Sequence, residues 1–466
     1  MSKTILEAGS FRDKANRVFY YKDEVYRALS MESLHNFVDA LGTQFFGRMI
    51  QEGKIVGTRI APFQDVPSVR HGHWAAILHH DRIPFISYPY EWTFSMLQDA
   101  ALLHLELLRA ALAEGITLKD ASAYNVQWNG ARAVFIDIPS FVPWRPGQPW
   151  VGYAQFCSLF LFPLLIQAHR NVPFQPWLRG SIDGISVEDC SHLLARDFYK
   201  AGVLADVMIH ARLQKGFAKT PRKIQHDLAD AGFHQEIIQS NIKRLTKIVK
   251  GLTWKPKTSV WTNYGQTCTY SARETADKKT FVERSAKRKK RGHVWDLGCN
   301  TGEFSKLIAP FADHVVAVDG DARVVDALYR ALRGSGPYNI TPLTMNITDL
   351  SPSMGWLGRE RKAFVERGHP DLILCLALIH HICITANVPM NEWVGWLAGF
   401  YADLIIEFVT VEDPMVQQLL RNKDGDHGDY DRDVFEAMLH EHFEIQETLS
   451  LSSGRRILYY CEVKKS

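Results

Sequence analysis

The second half of the chain alternates short apolar runs with stretches of helical periodicity. Its apolar runs lie at 293–297, 314–318, 340–347, 371–378 and 404–409. A continuous apolar run is typical of a strand in a parallel sheet that is covered on both faces. Two further runs, 443–451 and 456–463, flank a Ser-Ser-Gly turn and predict a hairpin. The pattern predicts an α/β fold: a doubly wound, Rossmann-like sheet with a terminal antiparallel hairpin.

The first half has strand-like patterns at its start and helical patterns after them. Residues 17–29 alternate around a polar Lys-Asp-Glu turn, which predicts a β-hairpin, and strand-like runs follow at 74–78 and 84–88. Helical periodicity covers 33–52, 94–114, 156–168 and most of 185–250. We therefore predict an α+β domain over 1–240, a basic helix and linker over 241–260, and the α/β domain over 261–466.

The first apolar run of the α/β domain ends in a glycine-rich turn. Asp296, Gly298, Asn300, Gly302 and Phe304 lie between that run and the next helical pattern. Glycines let the backbone approach a ligand closely, and a helix N-terminus adds free N–H donors. The second run ends in Asp319, where a carboxylate can accept hydrogen bonds from both hydroxyls of a ribose. The turn therefore predicts a site for a nucleoside-like ligand.

The sequence Asp-Leu-Gly-Cys-Asn-Thr-Gly at 296–302 resembles motif I of the class I S-adenosylmethionine (SAM) methyltransferases. Ala-Val-Asp319 resembles their ribose-binding strand, and the resemblance covers about residues 255–466. It implies SAM as the cofactor, with Asn346 or Asp349 at the adenine and Leu376 lining the site. It also implies that Tyr264 or Tyr270 closes over the ligand, although either residue could simply pack.

Two histidines, His380 and His381, follow the fourth apolar run, at the edge where an open α/β sheet binds its ligand. Plant small-molecule O-methyltransferases, which the domain resembles, have a general-base His at the position of His380. They continue with an Asp where this chain has His381, so either histidine could be the base. The Asn-Pro-Pro-Tyr signature of amino-group methyltransferases is absent. The resemblance implies methyl transfer to a hydroxyl of a carbohydrate or small molecule, with no metal required.

Several alternatives stay open for the function of the chain. RNA or protein could be the acceptor, and the domain could be a SAM-binding regulator without turnover. The stretches at 377–381 and 406–409, followed by Glu-Asp-Pro-Met at 412–415, also resemble bacterial NoeA-like nodulation proteins. That resemblance extends toward the first half but implies little chemistry.

In the first half, Asp120, Asn125 and Asp137 have the spacing of the catalytic loop and metal-binding Asp of kinase-like phosphotransferases, which they resemble. The resemblance implies a kinase-like domain with ATP and Mg²⁺, and hence a bifunctional kinase-methyltransferase. Two features depart from it. Only Gly9 lies near the hairpin instead of a glycine-rich loop, and Arg27 stands where a phosphate-binding Lys is expected. The alternative is a loop in which Asp and Asn cap backbone groups.

Composition narrows the range of partners and compartments. The 466 residues are 46% hydrophobic and 23% charged, with a net charge of +3, so the global charge does not favour nucleic acid. The basic run 287–291 could contact phosphates, but more often such a run is a solvated helix end.

The seven cysteines include no C-x-x-C pair, which predicts reduced, mostly buried thiols. With no signal peptide and no apolar run long enough to span a bilayer, we expect a cytoplasmic protein of undefined oligomeric state.

Overall fold

The computed structural model divides into two compact units. It describes residues 4–62, 66, 74–197, 199–209, 235–255, 270–421 and 430–464. Unit 1 comprises Met1–Trp128, Ala133–Pro256 and Ser353–Lys362, and unit 2 comprises Asn129–Arg132, Lys257–Pro352 and Ala363–Ser466. Within the described ranges, no helix combines the length and the apolar character needed to cross a membrane.

The described part of unit 1 begins with an antiparallel sheet in the order β1-β2-β3-β5-β4. The strands are β1 (Ile5–Leu6), β2 (Asn16–Tyr21), β3 (Glu24–Leu29), β4 (Thr58–Ala61) and β5 (Ala76–His80). The hairpin predicted at 17–29 is confirmed as β2 and β3. They are joined at Lys22 and Asp23, whose φ angles of 51° and 62° are those of a tight two-residue turn.

Two predicted elements of this half are corrected. The single helix at 33–52 is divided into α1 (Met31–Leu41) and α2 (Gln44–Gln51), because the chain is extended at Thr43. Residues 84–88 are not assigned to a strand. Instead, the backbone N–H of Ser87 donates to Gln127 Oε1 at 2.9 Å, and Gln127 Nε2 donates to the Ser87 carbonyl at 3.0 Å. A side-chain amide thus provides the hydrogen bonds that a neighbouring strand would have made.

The rest of unit 1 is mostly helical, as predicted. Its helices are α3 (Phe94–Ala113), α4 (Tyr153–Phe156), α5 (Phe162–Arg170), α6 (Gln175–Gly180), α7 (Val187–Leu194) and α8 (Gln235–Gly251). Short strands pair between them, namely β6 (Ile116–Leu118) with β9 (Phe141–Pro143) and β7 (Val126–Asn129) with β8 (Arg132–Phe135). The apolar run 156–168 is helical and largely buried, with a π-helical turn, Cys157–Leu161, between α4 and α5.

The unit boundaries differ from the predicted ones in two respects. The basic helix at 241–250 is part of α8, which packs on α3 in unit 1, where Gln98 Nε2 donates to the carbonyls of Val249 (2.7 Å) and Leu252 (2.9 Å). The units also exchange short segments, because 129–132 groups with unit 2 and 353–362 with unit 1. Most of the predicted linker, from residue 256 on, lies outside the described residues, as does Tyr264.

Unit 2 contains a sheet in the order β12-β11-β10-β13-β14-β16-β15. The strands are β10 (Arg291–Leu297), β11 (Ala312–Asp319), β12 (Ile340–Thr344), β13 (Leu372–Cys375), β14 (Asp403–Val409), β15 (Phe443–Ser450) and β16 (Arg456–Val463). The neighbouring strands β12, β11, β10, β13 and β14 are all parallel, whereas β16 is antiparallel to both β14 and β15. The predicted doubly wound sheet with a terminal hairpin is therefore confirmed.

Helices precede and connect these strands. They are α9 (Ala272–Ala286), α10 (Glu303–Ile308), α11 (Ala322–Ser335), α12 (Met390–Ala398), α13 (Pro414–Leu420) and α14 (Arg432–His442). The central strands are almost completely buried, as their continuous apolar sequences require. The carboxyl ends of the parallel strands β10, β11, β12, β13 and β14 lie along one edge of the sheet, where ligands of open α/β sheets bind.

Candidate functional site

The glycine turn after β10 adopts the backbone that a close ligand approach needs. Gly298, Asn300 and Gly302 have positive φ angles of 78°, 49° and 72°. A Cβ atom at Gly302 would lie 2.5 Å from Leu328 Cδ1, so a larger residue does not fit without a shift. Helix α10 begins directly afterwards, with Phe304 partly exposed in its first turn. The predicted strand, turn and helix are confirmed here.

Asp319 ends β11 beside this turn. Its Oδ2 accepts from the backbone N–H of Asn300 and its Oδ1 from that of Asp321, each at 2.9 Å. Burial raises the pKa of Asp319, although these backbone donors act in the opposite direction. Each carboxylate oxygen has a second lone pair, so both can still accept from ribose hydroxyls. The arrangement fits a nucleoside such as that of SAM.

Asp296 lies deeper than the other predicted cofactor residues. Its side chain is 2% exposed, and Ser305 Oγ donates to Asp296 Oδ2 at 2.5 Å. Burial raises the pKa of Asp296 to about 6. Asp296 therefore ties the end of β10 to helix α10 and is almost fully buried.

The remaining predicted cofactor residues lie at the same sheet edge. Asn346 and Asp349 follow β12 and are exposed, and Asn346 Oδ1 accepts from the N–H and hydroxyl of Thr348 at 3.1 and 2.9 Å. The Asn346 carbonyl accepts from the Asp349 N–H at 3.0 Å. Leu376 follows β13 and is 8% exposed. These residues therefore surround the carboxyl ends of neighbouring strands.

The histidine pair lies in a turn and not in an extended strand. Strand β13 ends at Cys375, Ala377 has a φ of 51°, and His380 precedes a π-helical segment, His381–Thr385. The sequence pattern predicts a strand to residue 378, and an extended chain from there would place the two rings on opposite faces. Instead, their ring centres are 4.1 Å apart. An Ala in the left-handed region costs backbone energy, and such strain is concentrated at functional sites.

The two histidines differ in burial. His380 is 0% exposed, and neither of its ring nitrogens has a hydrogen-bond partner among the residues that the structure describes. His381 is partly exposed. Burial lowers the pKa of His380 well below its ordinary value, and His381, Arg456 and Lys278 lower it further. Burial, followed by Arg456, lowers the pKa of His381 to about 4. Both imidazoles are therefore neutral near pH 7.

A buried charge cluster in unit 2 was not predicted. It consists of Tyr270, Lys278, Glu407, Asp413 and Arg456. Tyr270 Oη donates to Glu407 Oε1 at 2.5 Å and accepts from Lys278 Nζ at 2.9 Å and Arg456 Nη1 at 2.6 Å. Lys278 Nζ also lies 2.6 Å from Glu407 Oε2, and Arg456 Nε lies 2.9 Å from Asp413 Oδ2. Tyr270 thus lies at the centre of this cluster.

In unit 1, two residues of the predicted triad are in contact. Asn125 Nδ2 donates to Asp137 Oδ2 at 3.4 Å, and Arg27 Nη1 lies 2.9 Å from Asp137 Oδ1. Burial, and then the charge of Asp137, raise the pKa of Asp120. In the described residues, no group of three or more His, Cys, Asp or Glu side chains could hold a metal ion.

Five of the six described cysteines are buried: Cys157, Cys190, Cys299, Cys375 and Cys461.

Three features together define the fold class of unit 2. They are its strand order, its glycine turn and the carboxylate that ends its second parallel strand. Unit 2 has the strand order and the glycine turn of a class I SAM-dependent methyltransferase domain. The chain as a whole belongs to the family of the nodulation protein NoeA. It is 33% identical to NoeA of Rhizobium meliloti (strain 1021) over 463 residues, which cover 98% of this chain and 95% of that protein.

Solved structures similar to part of the chain include two methyltransferases. The N-methyltransferase NodS from Bradyrhizobium japonicum WM9, in complex with S-adenosyl-L-homocysteine, is 12% identical with a TM-score of 0.31, covering 41% of this chain and 88% of NodS. A SAM-dependent methyltransferase from Aquifex aeolicus is 14% identical with a TM-score of 0.30, covering 44% of this chain and 100% of that protein. No protein-family model matches the chain.

Proposed function

We propose that unit 2 transfers the methyl group of SAM to a hydroxyl of a carbohydrate or small molecule, with His380 as the general base. SAM supplies an electrophilic methyl group on its sulfonium sulfur. The chain must hold the acceptor oxygen in line with that methyl group and remove its proton. In this proposal His380 takes the proton, the oxygen–carbon bond forms, and the carbon–sulfur bond breaks to leave S-adenosyl-L-homocysteine.

The state of His380 carries this proposal. A buried polar group without a partner costs about 1–3 kcal/mol, and His380 shares this state with His104 of α3, so the position of His380 distinguishes it. The residue follows β13 at the ligand-binding edge of the sheet. A neutral imidazole there can accept a proton from a hydroxyl that enters beside it.

The basic run at 287–291 supports a small acceptor over nucleic acid. Its side chains pair with carboxylates of unit 2: Lys287 with Glu283, Arg288 with Glu447, Lys289 with Asp403 and Glu462, Lys290 with Asp313, and Arg291 with Asp403. Nucleic-acid affinity comes largely from cations that neutralise phosphates. Cations that are already paired with carboxylates contribute less to nucleic-acid affinity.

The proposed reaction can be tested without knowing the acceptor. The protein would be incubated with SAM labelled with ¹³C at the methyl group and with metabolite extract from a strain that lacks the gene. We expect a labelled product whose methyl carbon has the chemical shift of a methyl bound to oxygen. A methyl bound to nitrogen would contradict the hydroxyl acceptor. No labelled product, together with intact SAM binding, would favour a regulator without turnover.

We further propose, as a second candidate function, that unit 1 binds a nucleotide with Mg²⁺ through Asp120, Asn125 and Asp137. The supporting observation is electrostatic. Burial and the nearby Asp137 raise the pKa of Asp120, and a divalent cation between these carboxylates would relieve that repulsion. Arg27, which pairs with Asp137 from β3, would bind phosphate in place of the Lys of kinase-like proteins.

ATP with Mg²⁺ is expected to raise the melting temperature of the chain. At a concentration a hundred times the dissociation constant, binding stabilises by about 2.7 kcal/mol, and each kcal/mol corresponds to about 2–4 °C for a unit of this size. Asp137→Asn should abolish the shift while keeping an oxygen for Arg27, and the shift produced by SAM should remain. If millimolar ATP with Mg²⁺ produced no shift in the unaltered chain, the three residues would be better explained as loop caps.

A further inference from the structure

Stability explains the buried charge cluster of unit 2 poorly. Lys278, Glu407, Asp413 and Arg456 are each 5% exposed or less. Two cations balance two carboxylates, but ions lose their hydration on burial, and well-packed apolar residues often stabilise a protein more than a buried ion pair. The cluster could link helix α9 to strands β14 and β16. A link of that kind does not require four ionised groups.

The cluster lies near the proposed site of methyl transfer. Glu407 is in β14 opposite Leu458, and Arg456 is opposite Val409, so Glu407 and Arg456 are on the same face of the sheet. Lys278 reaches this face from helix α9, and its Nζ lies 4.9 Å from the ring centre of Phe304, next to the glycine turn. The cluster therefore extends from the carboxyl half of β14 to the cofactor turn.

Two cations of the cluster act on the histidine pair, Arg456 on both rings and Lys278 on that of His380. Besides the neighbouring imidazole of His381, the groups that act on His380 are the cations Arg456 of β16 and Lys278 of α9, and both cations disfavour an additional positive charge there. Glu407 is held ionised, since Lys278 and Arg456 lower its pKa although burial opposes this. Its carboxylate faces the two cations. Arg456 and Lys278 therefore disfavour a further cation beside the histidines.

Lys278 has a hydrogen-bond donor to spare. An ammonium group has three protons. Lys278 donates one to Glu407 Oε2 at 2.6 Å and one to Tyr270 Oη at 2.9 Å, and the third has no acceptor among the residues that the structure describes. The ammonium is almost fully buried, so water satisfies this proton poorly. Glu407 and Tyr270 fix the position of Lys278 and leave one donor for a ligand.

We propose, building on the methyl-transfer function above, that Lys278 binds the acceptor oxygen through this proton and selects oxygen acceptors over amines. As His380 removes the hydroxyl proton, negative charge develops on the oxygen, and the ammonium stabilises it. Lys278 keeps its own protons throughout. An amine acceptor would arrive as an ammonium ion at neutral pH and be repelled by Lys278 and Arg456.

The test uses a charge-balanced pair of substitutions, because removing one partner of a buried ion pair leaves an unpaired charge. Lys278→Met with Glu407→Gln removes the ion pair and keeps similar volumes. Arg291→Met with Asp403→Asn is the matched control, since that pair is also buried, with a 2.6 Å separation, but lies at the amino ends of β10 and β14. Methyl transfer from ¹³C-labelled SAM would be measured with the extract from the strain that lacks the gene, and SAM affinity by calorimetry.

We expect the Lys278/Glu407 variant to bind SAM within about twofold of the unaltered protein and to lose about tenfold in rate, the effect of one hydrogen bond to a charged group. The Arg291/Asp403 control variant should keep both the SAM affinity and the methyl-transfer rate of the unaltered protein. Equal rates in the two variants, with SAM binding intact, would overturn the role of Lys278. If the double variant fails to bind SAM, Lys278→Gln is measured in its place, because the glutamine amide can still donate to Glu407. A loss of about tenfold in rate would then support the role of Lys278, and a rate equal to that of the control would overturn it. Absence of transfer by the unaltered protein would instead overturn the methyl-transfer proposal, and this assignment with it.

Discussion

Replacement of His380 by alanine is expected to lower turnover on the true acceptor by about 10² to 10⁴, which is the contribution of a positioned general base. SAM affinity should remain nearly unchanged, because the glycine turn and Asp319 are the residues proposed to bind the cofactor. Turnover would be measured under conditions where chemistry limits the rate, with SAM affinity measured separately. His381→Ala is the matched variant, since its ring lies 4.1 Å from that of His380.

The pH dependence separates this proposal from a simple structural role. Burial first, and then neighbouring cations, lower the pKa of His380, so the unprotonated base persists below the ordinary histidine pKa of about 6.5. The acidic limb of kcat/KM should therefore lie below about pH 6.5 and disappear in His380→Ala. Near-normal turnover in His380→Ala combined with a large loss in His381→Ala would assign the base to His381. Normal turnover in both variants would exclude a histidine base.

Replacement of Asp319 by alanine is expected to weaken SAM binding at least tenfold, and about a hundredfold if both ribose hydrogen bonds are charge-assisted. Asp319→Asn should lie between the alanine variant and the unaltered protein, because an amide oxygen still accepts a hydrogen bond. Asp313→Ala is the control, since Asp313 is an exposed carboxylate near the start of the same strand, with 65% of its side chain exposed.

Calorimetric titration with SAM and S-adenosyl-L-homocysteine would measure both effects. Asp319 also accepts from the backbone of Asn300 and Asp321, so part of the loss in the alanine variant comes from a loosened turn. The Asn variant retains at least one of these acceptors and limits that contribution. Unchanged SAM affinity in Asp319→Ala would exclude the ribose assignment.

The fold of unit 2 was predictable because local pattern and tertiary environment agree there. Continuous apolar runs specify strands covered on both faces, and β10, β11 and β14 are found at the predicted positions. Residues 84–88 have a similar local pattern but a different outcome, since the Gln127 side chain bonds Ser87. Composition within a short window does not reveal that distant partner. The same holds for 353–362, whose grouping with unit 1 depends on residues far away in the chain.

The candidate site was predictable only where a motif is contiguous. The glycine turn and Asp319 are close together in sequence, and their backbone requirements leave a signature in residue type. The buried charge cluster joins Tyr270 to Arg456, which are 186 positions apart, so no local pattern identifies it. One available signal was Glu407, an acid inside an apolar strand pattern. The geometry of the histidine pair depended on where β13 ends, and strand ends are poorly specified by apolar pattern alone.

The segments exchanged between the units determine how the protein can be divided. Glu360 accepts from Arg12 through both carboxylate oxygens, at 2.6 and 2.9 Å, so unit 1 is completed by a residue that lies 348 positions after Arg12 in the chain. Conversely, the Gly130 carbonyl accepts from Thr341 Oγ1 at 3.2 Å, so unit 2 takes a turn from the first half. A single cut in the linker would leave each fragment without part of its own fold. Genetic exchange of either half among relatives is therefore constrained, and the two halves should be inherited together.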